Sequence, residues 1–182
     1  MSDIQYLEDL QEQVRKGHPL KYLCFWGHTP KHKDIVDKSC FSQWYPSVFE
    51  VDGYTYQNAE QFMMAQKARL FKDDGIFEKI LKAENPKEVK ALGRLVKNYN
   101  EEMWVERRFE IVVQGNLAKF SQNLDLKQFL LNTSDSVIVE ASPVDKIWGI
   151  GLSTDDEKTQ QPLQWKGLNL LGFALMEVRK QL

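Results

Sequence analysis

The stretch DGYTYQNAEQFMMAQKARLF, residues 52–71, decides the fold because it joins a β-hairpin to a helix. Asp52-Gly53 is a two-residue turn signal, and short β-prone runs flank it at 48–51 and 54–56. Such runs on both sides of an Asp-Gly pair are typical of a tight antiparallel hairpin. We therefore predict a hairpin that leads the chain directly into the following helix.

The helix in this stretch carries the first candidate functional residues. Asn58 is placed to cap it, and Gln61 three residues later completes a capping-box pattern, so we predict a helix over 59–72. Glu60 and Lys67 are seven residues apart, which puts them within about 20° of each other and two turns apart. Their face is largely apolar, where a carboxylate and an amine are costly unless paired or used. The alternative is a surface Glu and Lys on an ordinary amphipathic helix.

The composition is that of a soluble globular protein, with 42% hydrophobic and 27% charged residues among 182. The formal net charge of −2 argues against a protein that grips nucleic acid mainly through backbone phosphates. A local pocket for a small anionic group stays compatible with it. Cys24 and Cys40 match neither a disulfide framework nor a zinc site. Since no apolar leader or membrane-spanning run is present, we predict a cytoplasmic protein without a membrane partner.

The remaining secondary structure follows from hydrophobic periodicity and from capping and turn residues. Most of it is helical, with β-branched or aromatic runs at two places. The polar loop over 153–162, which follows Trp148-Gly149-Ile150-Gly151, is predicted to be a mobile cover over a pocket. The predicted elements are an outer helix over 3–16, a buried strand over 21–26, a loop over 27–38, a short helix around 77–81, a helix from 86 to about 96 that starts at Asn85-Pro86, a long helix capped by Asn100 that runs towards 120, a helix from about 123 to about 133, a strand over 137–139, the polar loop over 153–162 and a last helix over 169–180.

Several familiar chemistries have no motif here. The chain contains no glycine-rich phosphate loop, no Cys-x-x-Cys pair and no nucleophile elbow around a serine. His28 and His32 are four residues apart, but they lie in a region without a helical pattern, so we expect neither a metal site nor a cofactor. The candidates that are left are carboxylates, a lysine and aromatic side chains.

A second group of such residues lies in VEASPVDKIWGIG, residues 139–151. A strand ends in Glu140, a proline turns the chain, and Asp145 and Trp148 follow with two glycines. In open sheets, loops at strand ends are common sites of binding and catalysis. The alternative is a plain turn with a capping aspartate and a core tryptophan.

Short blocks in a fixed order along the chain carry a family resemblance. They are Phe25-Trp26, CFSQWYP at 40–46, VDG at 51–53, AEQ at 59–61, AQKA at 65–68, LGR at 92–94, KF at 119–120, IVEASPVDKIWGIG at 138–151, and GLNLLG at 167–172 with Met176 and Arg179. Together they resemble the NADAR family, also called YbiA-like. The resemblance covers 22–182, so we predict a helical extension over 1–18 and a NADAR-like domain over 19–182. The family often has histidine where this chain has Gln61.

The resemblance implies an α+β fold, mainly helical, in a single domain around a small β-sheet. It also implies an N-glycosidase that acts on ADP-ribose or ribosylamine substrates. Two activities are associated with the family: removal of ADP-ribose from modified guanine in DNA or RNA, and cleavage of ribosylaminopyrimidine intermediates of riboflavin synthesis. The alternative function is a non-catalytic ADP-ribose- or NAD-binding module, which has no need of a lysine nucleophile.

The chemistry of this bond suits the residues singled out above. Breaking a C–N bond at an anomeric carbon needs an acid for the leaving nitrogen and stabilisation of a cationic centre. Glu60 and Asp145 are suitable for these tasks. Lys67 offers a further route, because desolvation favours the neutral amine, which can trap the ring-opened C1 aldehyde as a Schiff base. We therefore predict Lys67, Glu60 and Asp145 as catalytic residues.

The predicted substrate-binding residues supply stacking surfaces and an anion site. Tryptophan rings can stack on a base, and an arginine can pair with two phosphate oxygens at once. Arg94 follows Gly93, where backbone and ligand can approach closely. A core role for each tryptophan and an ordinary surface salt bridge for the arginine are the alternatives. The predicted residues are Trp26, Trp44, Arg94, Glu140, Trp148 and Gly149.

Overall fold

The computed structural model describes residues 4–182, which form two compact units. The terminal unit comprises residues 4–42 and 128–182, and the central unit comprises residues 43–127. The predicted α+β fold is confirmed, because helices predominate around short strands. The sequence predicted one small sheet, whereas the described residues form two separate two-stranded sheets. The predicted boundary between residues 18 and 19 stays a prediction.

The described residues contain seven α-helices and four β-strands. The helices are α1 (Leu7–Arg15), α2 (Ala59–Leu70), α3 (Asp74–Lys82), α4 (Pro86–Arg94), α5 (Glu101–Gln122), α6 (Leu124–Leu131) and α7 (Leu170–Gln181). The strands are β1 (Tyr22–Phe25), β2 (Phe49–Val51), β3 (Tyr54–Tyr56) and β4 (Val137–Glu140), and short 3-10 helices cover Lys38–Phe41, Glu157–Gln160 and Pro162–Gln164. No helix within 4–182 is long and apolar enough to span a bilayer.

The predicted hairpin is present in the central unit, where β2 and β3 pair in antiparallel fashion. Asp52 and Gly53 have φ angles of 53° and 78°. Two successive residues with positive φ are what a two-residue turn needs if the strands on either side are to keep their natural twist. Val48 was predicted to belong to the first strand and lies just outside it.

Helix α2 begins at the predicted residue, Ala59, and its capping differs from the predicted capping box in one contact. The Asn58 side chain accepts a hydrogen bond from the Gln61 N–H at 2.9 Å, as an N-cap should. The Gln61 side-chain oxygen accepts from the N–H of Gln57 at 2.7 Å, one residue before the N-cap. Its amide group donates to the Ile80 carbonyl at 2.9 Å. Gln61 therefore ties the start of α2 to α3, and α2 ends at Leu70, two residues earlier than predicted.

Two glycines let α2 lie close to its neighbours in the central unit. A Cβ atom at Gly93 of α4 would lie 2.0 Å from the sulfur of Met64. A Cβ atom at Gly115 of α5 would lie 2.5 Å from Cδ1 of Phe62. Both partner side chains project from α2 and are buried. The core of this unit is thus built around α2, the helix that carries Glu60 and Lys67.

In the terminal unit, α7 packs on β4, which pairs in parallel with β1. Asn169, in the left-handed conformation just before α7, accepts from the Glu140 N–H and donates to the Ile138 carbonyl, both at 2.9 Å. A Cβ atom at Gly172 would lie 2.0 Å from the same Ile138 oxygen. These contacts fix the end of β4, from which the segment 139–151 continues.

Some predicted boundaries and burial assignments are wrong. The first helix was predicted to begin at residue 3, which lies outside the described residues. It begins at Leu7, because the Asp9 carboxylate accepts from the N–H groups of Gln5 and Tyr6 and holds them in a cap. Strand β1 was predicted to be buried, but only its last residue, Phe25, is fully buried.

Other differences concern the ends of α4 and the polar loop. Helix α4 ends at Arg94 instead of near residue 96, since the Asp73 carboxylate accepts the Lys97 N–H at 2.8 Å and draws the chain away. The loop predicted over 153–162 contains a 3-10 turn in which Thr159 is buried. The proposal that the loop over 153–162 is a mobile cover stays a prediction.

Candidate active site

Lys67 lies in the last turn of α2 with its amine enclosed by a carbonyl and two aromatic rings. Its Nζ donates to the Gly93 carbonyl at 3.0 Å and lies 4.4 Å from the ring centroid of Tyr99 and 5.5 Å from that of Trp104. Burial lowers the pKa of Lys67, while the carboxylate of Glu101 acts in the opposite direction. The amine therefore has a larger neutral fraction than an exposed lysine.

Tyr99 and Glu101 form a polar pair beside this amine. The Tyr99 hydroxyl donates to the Glu101 carboxylate. Burial and this carboxylate raise the pKa of Tyr99 to about 12, so the phenol stays protonated at neutral pH. Neither residue was predicted as part of the site. The cap at Asn100 predicted the start of α5, but no local pattern indicates that this start lies beside the end of α2.

Glu60, the carboxylate predicted to accompany Lys67, is buried at the opposite end of α2. It is 4% exposed, and its N–H donates to the Gln43 carbonyl at 2.9 Å. The helical angle between Glu60 and Lys67 suggested a pair, but two turns separate them by roughly 10 Å along the axis. The carboxylate that influences the pKa of Lys67 is Glu101.

A buried polar layer surrounds the start of α2. The Gln43 side chain accepts from the amide of Asn116 at 2.7 Å, so Gln43 contacts both α2 and α5. Lys119, also on α5, has 0% exposure and its Nζ lies 5.6 Å from the ring centroid of Tyr45. Glu60 therefore belongs to a buried polar core, whereas Lys67 lies at its edge.

The two substrate-binding residues predicted in the central unit differ in exposure. Trp44 is half-buried, with the ammonium of Lys90 5.9 Å from its ring centroid. Arg94 is exposed at the end of α4. Gly93 had suggested close approach of a ligand, but Met64 fills the space beside it. This glycine serves helix packing, and its carbonyl holds Lys67.

In the terminal unit, Asp145 orders the chain after β4. Its Oδ1 accepts from the N–H groups of Ile147 and Trp148, both at 2.8 Å. This is the capping arrangement given above as the alternative. Its second oxygen, Oδ2, accepts no hydrogen bond from the described residues. That oxygen is available for a proton transfer or a substrate hydroxyl.

The other predicted residues of the terminal unit gather at the carboxyl ends of β1 and β4. A Cβ atom at Gly149 would lie 2.8 Å from the Glu140 carbonyl, so only glycine allows this backbone approach. Glu140 and Trp148 are half-buried. Trp26 follows Phe25, the partner of Glu140 in the sheet, and is 59% exposed. An exposed ring of this size is suited to stacking on a base.

A NADAR domain model matches residues 24–182 of this chain, which is most of its length. The chain belongs to the NADAR family. It is 44% identical over 166 residues to an N-glycosidase of Acanthamoeba polyphaga mimivirus, covering 88% of this chain and 96% of that relative. It is 31% identical over 149 residues to N-glycosidase YbiA of Escherichia coli, covering 82% of each chain.

A solved structure agrees with this assignment. The NMR structure of the Escherichia coli protein YbiA matches with a TM-score of 0.69 and 27% identity, covering 90% of this chain and 87% of that one. The predicted family and the predicted enzyme class are confirmed, and this NADAR protein is an N-glycosidase. The residues beside the Lys67 amine that sequence reasoning missed are Tyr99, Glu101 and Trp104.

Proposed function

We propose that this NADAR protein hydrolyses the bond between an amine nitrogen and C1 of a ribose that carries a phosphate. The two proposed substrates are ADP-ribosylated guanine in DNA or RNA and the ribosylaminopyrimidine intermediates of riboflavin synthesis. The observation that carries the proposal is Lys67, whose half-buried amine lies against two aromatic rings with its pKa lowered by burial. A module that only binds ADP-ribose needs no such amine.

The proposed reaction begins with opening of the ribose ring, in which the bond between C1 and the ring oxygen breaks and C1 becomes doubly bonded to the leaving nitrogen as an iminium ion. The ring oxygen takes a proton from a carboxylic acid of the site, and the Lys67 ammonium formed at the end returns that proton to the carboxylate. The neutral amine of Lys67 adds to C1, and the adduct passes a proton from Nζ to that nitrogen. The C1–nitrogen bond then breaks, the base leaves as an amine, and a protonated imine joins C1 to Lys67. Water adds to C1 and releases the lysine as an ammonium ion. The sum is one water consumed, one free base and one ribose phosphate.

The surroundings of Lys67 suit a cationic imine. The faces of Tyr99 and Trp104 carry negative electrostatic potential and lie 4.4 Å and 5.5 Å from Nζ. The Glu101 carboxylate adds a fixed negative charge nearby. Glu60 and Asp145 stay the proposed acid, which relays the proton from Nζ to the leaving nitrogen, and the proposed stabiliser of the sugar cation. We also propose a cytoplasmic location, which the free thiols of Cys24 and Cys40 support.

Product analysis by mass spectrometry tests the proposed substrates. The protein is incubated separately with an oligonucleotide that contains ADP-ribosylated guanine and with a ribosylaminopyrimidine phosphate. Release of free ADP-ribose from the first, or of ribose phosphate from the second, identifies the natural class. Tight binding of ADP-ribose with no release from either substrate would support the binding module and contradict the proposal.

A further inference from the structure

Arg108 is a buried arginine without a hydrogen-bond or ion-pair partner among residues 4–182. Its side chain on α5 belongs to a residue that is 8% exposed, and its Nε is enclosed without a hydrogen bond. Two other arginines of the central unit have carboxylate partners: Arg107 lies 3.4 Å from Glu110, and Arg69 lies 3.8 Å from Asp52. A buried cation without a partner is costly, so its retention indicates a ligand that completes it.

The guanidinium lies in the cluster that surrounds the Lys67 amine. Arg108 is one turn beyond Trp104 on α5, and its charge acts on Tyr99. Both of these rings lie over the Lys67 amine. The acidic group of the cluster, Glu101, is already hydrogen-bonded to the Tyr99 hydroxyl. The cluster therefore combines two cations with one engaged anion, and an incoming anion would balance it.

The guanidinium is also open on one side. Nε is the only one of its three nitrogens that is fully enclosed without a hydrogen bond, so the two terminal nitrogens keep access to solvent. Two parallel N–H groups at an opening match two oxygens of a phosphate. Arg94, the phosphate ligand predicted from sequence, is exposed and has no such enclosure.

We propose that Arg108 binds the phosphate on C5 of the ribose whose C1–nitrogen bond is broken. This inference rests on the proposed function, and it identifies the group that the two proposed substrates share. In ADP-ribose this group is the phosphate next to the reacting ribose, and in a ribosylaminopyrimidine phosphate it is the terminal phosphate. A phosphate held on α5 beside Trp104 fixes the distance of the ribose from Lys67.

Calorimetry with ribose 5-phosphate and with ribose tests this assignment. We expect the wild-type protein to bind ribose 5-phosphate more tightly than ribose. Arg108→Gln should bind ribose 5-phosphate about ten- to a hundredfold more weakly, as expected when a charged hydrogen bond is lost, and ribose with unchanged affinity. The affinity of Arg108→Lys for ribose 5-phosphate should lie between those of the wild type and Arg108→Gln, because lysine keeps the positive charge but lacks the two parallel N–H groups of arginine. The matched control is Arg107→Gln on the same helix, which should bind both ligands as the wild type does.

A melting experiment separates binding from a structural role. Arg108→Met replaces the charge with an apolar chain of similar length, so it should raise the Tm of the ligand-free protein and abolish the rise caused by ribose 5-phosphate. A structural arginine would instead give a lower Tm without ligand. Unchanged affinity of Arg108→Gln or Arg108→Lys for ribose 5-phosphate would overturn the assignment.

The result also separates this inference from the proposed function. If ribose 5-phosphate binds through Arg108 and neither nucleoside substrate is cleaved, the phosphate site stands and the proposed substrates fail. If a substrate is cleaved and Arg108→Gln has the wild-type KM and kcat, the reaction stands and the phosphate site fails.

Discussion

Lys67 shows how one residue acquires reactivity from its position. An ammonium ion that loses solvation becomes less stable relative to the neutral amine, so burial lowers its pKa from the ordinary 10.5. The Gly93 carbonyl orients the nitrogen at 3.0 Å, and the rings of Tyr99 and Trp104 exclude water from its sides. An imine-forming nucleophile needs this combination of neutrality and fixed direction.

We predict that Lys67→Ala and Lys67→Arg lose turnover by about three orders of magnitude or more, as expected when a covalent nucleophile is removed. Arginine keeps the charge and cannot form the imine. A borohydride quench during turnover should leave a covalent adduct on the wild-type peptide that carries Lys67, detectable by mass spectrometry. Lys79→Arg, an exposed lysine on α3, is the control and should keep full turnover.

An active Lys67→Arg protein with no trappable adduct would contradict the covalent route. Glu60 and Asp145 would then carry the reaction by acid catalysis and charge stabilisation alone. If Lys67→Ala loses turnover, its binding of ADP-ribose distinguishes loss of the nucleophile from misfolding, since a lysine at the edge of the core is not needed for packing.

The pH dependence of kcat should report the charge that faces Lys67. The reactive form is the neutral amine, so kcat rises with pH until the pKa of Lys67 is passed. Glu101 raises this pKa, and Glu101→Gln removes that influence, so the rising limb should move to lower pH. Glu102→Gln, the exposed neighbour on α5, is the control and should leave the limb in place. An unshifted limb in Glu101→Gln would show that another group controls it.

At the scale of the elements, the contact between α2 and α4 positions the reactive amine. The missing side chain of Gly93 lets Met64 of α2 enter, and the Gly93 carbonyl accepts from Lys67 three residues further along α2. One close approach therefore sets both the helix separation and the direction of Nζ. In the sequence, Leu92-Gly93-Arg94 suggested an opening for a ligand, because a glycine does not indicate whether ligand or protein occupies the space beside it.

Gly93→Ala should therefore be destabilising. The added Cβ would lie 2.0 Å from the sulfur of Met64, and relief of this overlap requires movement of the side chain or of α4. We expect a loss of about 1–3 kcal/mol in the free energy of unfolding, measured by urea denaturation. Turnover should also fall, because the carbonyl that orients Lys67 moves with the helix.

Gly75→Ala on α3 is the matched control. A Cβ at that position would come no closer than 3.7 Å to the Asp73 side chain, an ordinary contact. Alanine is the better helix former, so this variant should be as stable as the wild type or slightly more stable. If Gly93→Ala were equally well tolerated, the close approach would not determine the separation of α2 and α4.

At the scale of the whole molecule, the sequence predicted the local structure well and the long-range structure poorly. The side chains of Asn58, Asn85 and Asn100 each cap the predicted helix, because a capping signal lies within four residues of its effect. The parallel pairing of β1 with β4 joins segments more than a hundred residues apart and has no local signal. The same limit applies to the candidate site, where folding alone brings Glu101 and the rings of Tyr99 and Trp104 to Lys67.

The charge of the whole molecule bears on how a nucleic acid substrate is held. With a formal net charge of −2, the protein offers no general attraction to a phosphate backbone. If Arg108 holds only the phosphate of the reacting ribose, the rest of a DNA or RNA chain adds few contacts. We predict that ADP-ribosylated guanosine and the same modification within an oligonucleotide have KM values within about threefold of each other, and that both respond equally to salt.

Steady-state kinetics at about 50 mM and about 200 mM salt checks this prediction, since 6–10 backbone phosphate contacts would cost about 10³–10⁵ in affinity over that range. An unmodified oligonucleotide of the same length is the control and should not inhibit. An oligonucleotide that binds far more tightly than the nucleoside at low salt, and loses that advantage at high salt, would contradict the prediction. The recognition would then extend along the strand, and cations beyond Arg108 would have to contact its phosphates.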